Sequence, residues 1–305
     1  MSEPLRERAT RLRPAHAALA LLVVAIWGTN FVVIKVGLRA FEPLFFATLR
    51  FFLCAVPLVF ILMRPPVPWR WLALFGILLG PGQFALLFYA MRADISPGLA
   101  SLLIQVQVFF TIGLSVWLFG ERLKAVTIAG IVLGASGLAT IALHLDATVT
   151  PTGIAIVVLA AFCWACANIV VKRAVKSAGE PVDMLAFVVW SSLFAVPPLL
   201  ALVLVFEGGA ASWNAIANAR WDAWAALVWQ AVGNTLFGYV AWNWLIARYD
   251  AAVVTPYALL IPVFGMGSSA LMLGEPLPPW KWLAAALVIG GIALITLAGR
   301  RPKSA

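Results

Sequence analysis

Eight side chains stand out because a membrane-buried helix would ordinarily carry hydrocarbon in their place: Trp27, Asn30, Gln83, Gln105, Trp164, Asn168, Gln230 and Asn234. A primary amide both donates and accepts hydrogen bonds, and an indole face attracts cations. Set around a common space, such groups would grip a small polar molecule without covalent chemistry. The plain alternative for each is packing, with tryptophan filling a core or an interfacial belt and amides bonding neighbouring helices. Spacing argues for a lining. Trp27 and Asn30 share one helical face, Trp164 and Asn168 another, and Gln230 and Asn234 lie one turn apart near the centre of an apolar run. Gln83 falls on a face with Gly76 and Gly80, where lipid contact would favour Leu or Val. Gln105 and Gln107 are two residues apart, about 200° on a helix, so only one should face a shared cavity, and Gln105 is the choice.

These residues are carried by long runs free of charge. The chain has 305 residues, of which 64% are hydrophobic and 11% charged, with a mean hydropathy of +1.01. That composition excludes a water-soluble globule. About 20 apolar helical residues cross a bilayer, and ten runs reach that length. They are Pro14 to Ile34, Pro43 to Met63, Trp71 to Met91, Ile95 to Gly120, Ala125 to Leu145, Ala147 to Val171, Met184 to Phe206, Ala223 to Ala247, Ala251 to Gly274 and Trp282 to Gly299. The expected class is an all-α integral membrane protein of ten transmembrane helices. Barrel strands would be half as long and would alternate strictly. The basic leader with Arg6, Arg8, Arg11 and Arg13 precedes a run too long for a cleaved signal, so it reads as a retained anchor.

Only Arg50 interrupts the runs with a charge. The favoured reading is a side chain that snorkels to the headgroups or pairs with a helix end, and the alternative is a cation that attracts a carboxylate. Most of the 21 Lys and Arg residues collect on one side of the ladder, which places both termini in the cytoplasm. The net charge of +9 then reflects topology and anionic lipid, with no call for nucleic acid. Cys163 and Cys166 spell C-x-x-C in mid-helix, with no second ligand pair, and read as small packing residues. No cofactor or metal site is expected. No H-E-x-x-H helix, intramembrane acid pair or G-x-S-x-G with a usable histidine suggests an enzyme.

Five runs precede Ala147 and five follow, so the second set enters the membrane in the opposite sense. Residues 1–146 and 147–305 are expected to be inverted repeats. An offset of 154 residues pairs Gly120-Glu121 with Gly274-Glu275 and sets the face of Gly76, Gly80 and Gln83 against Gln230, Asn234 and Phe237, while an offset of 137 pairs Trp27 with Trp164 and Lys35 with Lys172. The fifth and tenth runs carry glycine and no amide, and read as scaffold or a homodimer surface.

ALLVVAIWGTNFVVIKVGL, GLASLLIQVQVFFTI, FGERL, the WAC-N of the sixth run and the second Gly-Glu pair together resemble the EamA-type transporters of the drug/metabolite transporter superfamily. Among these the chain looks most like exporters of O-acetylserine and cysteine. The resemblance implies a bacterial inner-membrane exporter of small amino-acid-type metabolites, working by alternating access from a central cavity. The eight residues above would then surround a zwitterion. A flippase for lipids or lipid-linked sugars is the rival, and it would want more cations than Arg50 and Lys35. Every acidic residue falls at a run end or in a join, so the expectation is uncoupled efflux or coupling through an edge group such as Glu121. Pro276 stands where the first Gly-Glu corner has Arg122, so the two corners are not equivalent.

Overall fold

In a computed structural model, residues 12–119, 125–145, 149–249 and 254–298 are described. Gly120, Glu121 and Arg122, and with them the first Gly-Glu corner, lie outside the described residues. The described residues are helical apart from short joins, and no strand is found among them beyond isolated bridge residues such as the antiparallel pair Ile95 and Val149. This follows from the solvent, because in hydrocarbon every backbone N–H and C=O needs a partner within its own segment.

The helices are α1 (Pro14–Gly37), α2 (Pro43–Val59), α3 (Trp69–Ala93), α4 (Pro97–Leu118), α5 (Ala125–Ala142), α6 (Pro151–Ala178), α7 (Met184–Glu207), the short α8 (Gly209–Asn218), α9 (residues 221–248), α10 (Tyr257–Leu273) and α11 (Pro279–Ala298). Seven of them are long and apolar enough to cross a membrane, and α2 and α10 are shorter apolar helices. The protein is thus an all-α, multi-pass membrane protein. Proline opens α1, α2, α4 and α6, at a position where its missing N–H would have had no helical partner.

Helix contacts fall into matched sets. α1 packs on α10 as α4 packs on α6, α1 packs on α9 as α3 packs on α6, and α2 meets α7 while α5 meets α11. Glycine permits the closest approaches. A side chain at Gly28 would run into Phe264 and the Ile261 carbonyl of α10, and one at Gly291 of α11 would strike the α5 backbone at Gly130 and Gly134. Where lipid gives no hydrophobic drive between helices, close backbone contact of this sort supplies the association energy. The outer surface is apolar, with Phe52, Leu74, Ile128, Leu159, Val232 and Leu283 exposed.

At one end of the bundle the helix ends are tied by polar groups. The Glu207 carboxylate accepts from the backbone N–H groups of Leu44 (2.7 Å) and Phe45 (2.9 Å) at the start of α2. Lys35 donates to the carbonyls of Met91 (2.8 Å) and Arg92 (3.0 Å) at the end of α3, and Arg92 pairs with Glu42. Gly274 ends α10 in the left-handed region at φ 67°, a conformation that glycine takes without steric cost. That turn brings Glu275 onto the start of α4, where it accepts from Ser96 Oγ, from Gly98 N (2.9 Å) and from Lys281 Nζ (2.9 Å). Lys281 is 1% exposed and Glu275 6%, so this ion pair is buried. The opposite end carries the start of α1 and the end of α11.

Candidate functional site

Two helices are locally rewound where the amides lie. In α3, residues Leu78–Ala85 form an i→i+5 hydrogen-bonded segment containing Pro81. Proline supplies no N–H and displaces the carbonyl four residues back, so the ladder must widen. In α9, Trp229–Phe237 does the same. Such wide turns occur frequently at functional sites. Here the consequence is visible. Gln230 and Thr235 are five residues apart, about 140° on a regular α-helix, yet both reach Arg50.

Arg50 Nη1 donates to Gln230 Oε1 at 2.7 Å and Nη2 to Thr235 Oγ1 at 2.8 Å. The guanidinium is fully buried, with its carbon 3.6 Å from the centroid of the Phe84 ring. The expectation of snorkelling to the headgroups is corrected. Arg50 turns inward because hydrogen-bond acceptors on α9 and an aromatic face on α3 replace the water it would otherwise seek. Gln230 Nε2 in turn donates to Asn30 Oδ1 at 2.8 Å.

In front of this network lies a chamber of about 70 Å³, lined by Trp27, Asn30, Gln83, Gln105, Trp164, Asn234, Tyr239, Phe84 and apolar neighbours. It opens into a vestibule of about 450 Å³ that shares Trp27, Gln105, Trp164 and Tyr239 and adds Gln107, Asn168, Met184 and Thr296. At roughly 10–15 Å³ per water, the chamber is of small-molecule size and the vestibule is an approach to it. Met184 begins α7 and Thr296 lies near the end of α11, so the vestibule opens toward the end opposite the Glu275 cluster.

Seven of the eight residues singled out by sequence line one or both spaces, and they come from α1, α3, α4, α6 and α9. Gln230 does not; it is fully buried behind Asn30. Trp27 Nε1 donates to the Asn234 carbonyl at 3.1 Å, which fixes the indole between α1 and α9. Asn168 donates to Gln107 Oε1 at 3.0 Å. Gln83 Oε1 is buried and has no hydrogen-bond partner among the described residues.

Gln107 lines the vestibule together with Gln105, which corrects the expectation that only one of them faces the cavity. Residues Ile104–Val106 form a 3₁₀ turn, which advances about 120° per residue and brings the pair closer in azimuth than an α-helix would. Phe84, Thr235 and Tyr239 were not picked out by the sequence. The available signal was the glycine and proline at 80–82 and 233, which mark a disturbed helix and therefore a shifted face. Cys163 packs against Gly82, in keeping with its reading as a packing residue.

A sequence model of the EamA-like transporter family matches residues 15–143 and again residues 151–297. Proteins of Salmonella typhimurium and Escherichia coli, each called a probable amino-acid metabolite efflux pump, are 40% identical over 276 residues, covering 90% of this chain and 92% of each relative. A probable terminal-alkyne amino-acid exporter of Streptantibioticus cattleyicolor is 28% identical over 316 residues, covering 96% and 98%. A crystal structure with 19% identity superposes with a TM-score of 0.63 over 96% of this chain and all of that one, a likeness of fold alone. Two family matches spanning nearly the whole chain, and relatives at 40% identity, make this protein a member of the EamA-like transporter family.

Proposed function

We propose that the protein exports small amino-acid-type metabolites, of the cysteine and O-acetylserine kind, from a bacterial cytoplasm by alternating access through the chamber. The observation that carries this reading is the convergence of Trp27, Asn30, Gln83, Gln105, Trp164 and Asn234 on one space at the middle of the helices. Amides satisfy both charged ends of a zwitterion and the indoles face its ammonium group. The names of the Salmonella and Escherichia relatives point to the same cargo class.

The proposed architecture is ten membrane-crossing helices, α1 to α7 and α9 to α11, in two inverted five-helix repeats over residues 1–146 and 147–305. Its support is the matched helix contacts, the two wide turns in α3 and α9, and the double family match. With both termini cytoplasmic, the vestibule faces the cytoplasm, where an exporter loads, and the Glu275 cluster closes the outer side. The sequence holds no carboxylate in mid-membrane, which favours efflux down the cargo gradient. Glu121, the candidate edge group for coupling, lies outside the described residues.

The test is export. Cells overproducing the protein are challenged with toxic levels of cysteine and O-acetylserine, and extracellular metabolites are measured against an empty-vector strain. Raised tolerance with the amino acid in the medium is the expected result. No tolerance and no exported amine, with lipid-linked cargo moved instead, would overturn the reading.

A further inference from the structure

The amide lining has a direction, and Arg50 sets it. A guanidinium has donors only, so Gln230 must turn its oxygen to Arg50, as the 2.7 Å contact shows. Its nitrogen must then face Asn30, where it donates to Oδ1 at 2.8 Å. The Asn30 oxygen is thereby consumed within the wall. Its nitrogen makes only a long 3.4 Å contact to Gln230, and Asn30 lines the chamber, so it offers an N–H donor inward.

The charge points the same way. Both side-chain hydrogen-bond partners of Arg50 are neutral, and the Phe84 ring, whose centroid is 3.6 Å from the guanidinium carbon, itself lines the chamber. A cation this close, in a medium of low dielectric, favours an anion in the chamber. Gln83 supplies the complementary pole, because it is 3% exposed, lines the same chamber, and presents an oxygen that no donor among the described residues satisfies.

We infer that Arg50, acting through Gln230, fixes Asn30 as the donor for the substrate's carboxylate, and that the substrate's ammonium group is taken at Gln83. Arg50 and Gln230 are positioning residues that touch no substrate, whereas Asn30 and Gln83 line the chamber and meet the substrate's two charged ends. This rests on the exporter reading and goes further, because it makes the carboxylate a requirement for carriage and gives the zwitterion one orientation.

The experiment measures uptake into proteoliposomes of L-cysteine and O-acetyl-L-serine beside their primary carboxamides, which keep the ammonium group and lose the anion. Gln230→Glu still accepts from Arg50 but can only accept, so Asn30 must turn its nitrogen to the wall and its oxygen to the chamber, while the new carboxylate cancels the guanidinium charge. Acid uptake should fall about tenfold or more, the scale of one hydrogen bond to a charged group, while carboxamide uptake is kept or rises. Asn30→Asp, which leaves the Arg50–Gln230 bond in place, should invert the acid-to-carboxamide ratio in the same sense and decides the matter if Gln230→Glu does not fold. An equal fall for acids and carboxamides, or an unchanged ratio in either folded variant, would overturn the assignment while leaving export intact. A wild-type protein that carries none of the four probes would overturn the exporter reading itself, and this assignment with it.

Discussion

Replacing Glu275 with glutamine should unlock the closed end of the bundle. The carboxylate accepts from Ser96 Oγ, from Gly98 N at 2.9 Å and from Lys281 Nζ at 2.9 Å. Glutamine is nearly isosteric and keeps one acceptor oxygen, so the volume is conserved and the charge is lost. Lys281, 1% exposed, is then a buried cation without its counterion. Removing one partner of a buried pair costs about 3–5 kcal/mol. Glutamine's remaining oxygen recovers about 1 kcal/mol as a neutral hydrogen bond. A net loss of about 3 kcal/mol corresponds to a shift of about 150-fold between the closed arrangement and any in which the start of α4 has left α10 and α11. Hydrogen exchange by mass spectrometry in nanodiscs reads this directly, through peptides covering residues 93–103, whose Gly98 amide is one of the Glu275 ligands. Exchange there should quicken by one to two orders of magnitude, while peptides from α5 stay slow. Exchange unchanged at 93–103 in a folded Glu275→Gln protein would refute the claim that this cluster holds the end shut.

Other substitutions separate cargo contact from scaffold. Trp27→Phe keeps an aromatic face but deletes the bond to the Asn234 carbonyl that fixes the ring between α1 and α9; a loss of about 1 kcal/mol of stability should lower the melting temperature slightly and, with the ring no longer held, raise KM, as a thermal-shift assay and transport kinetics would read. Gly291→Leu forces a side chain into the α5 backbone at Gly130 and Gly134, and overpacking of this kind costs about 1–3 kcal/mol, so the melting temperature should drop while the cargo ranking of the surviving protein is unchanged. Asn168→Leu removes the 3.0 Å bond to Gln107 in the vestibule rather than the chamber; the maximal rate should fall before affinity for bound amino acid does. With efflux uncoupled, an imposed pH gradient at fixed membrane potential should leave uptake into everted vesicles unchanged, and a strong rise would show proton coupling.

The sequence was informative wherever a single residue in hydrocarbon has only one sensible consequence. Charge-free runs overlapped the apolar helices, although α6 continues to Ala178, past the run that ends at Val171, and the short α8 was not foreseen; Trp27, Asn30, Gln83, Gln105 and Asn234 were identifiable as inward-facing because an amide or indole at that depth is costly against lipid. What it could not give was the partner across the bundle. Arg50 looked like a snorkelling side chain because the oxygen that holds it belongs to Gln230, 180 residues away. Gln230 in turn has the same chemistry as the lining residues, and only three-dimensional depth sets it behind Asn30. Azimuth failed where the helix departs from 100° per residue, at the 3₁₀ turn beside Gln105 and the wide turn that brings Thr235 round beside Gln230. Glycine and proline at 80–82 hinted at such a departure without giving its sense. Gly274-Glu275 was conspicuous in the sequence, but its role rests on Lys281, Ser96 and Gly98, which no local pattern connects to it.

The central claim is that amides and indoles from both halves of the chain hold one small amino acid between them. A structure of the protein in nanodiscs at saturating O-acetyl-L-serine tests this most directly. Density for the amino acid against Asn30, Gln83 and Trp164 is the predicted result. The same density seated among the exposed apolar side chains of the lipid-facing surface, or in the cleft of about 380 Å³ beside Lys35 and Glu275, with the chamber unchanged, would contradict it.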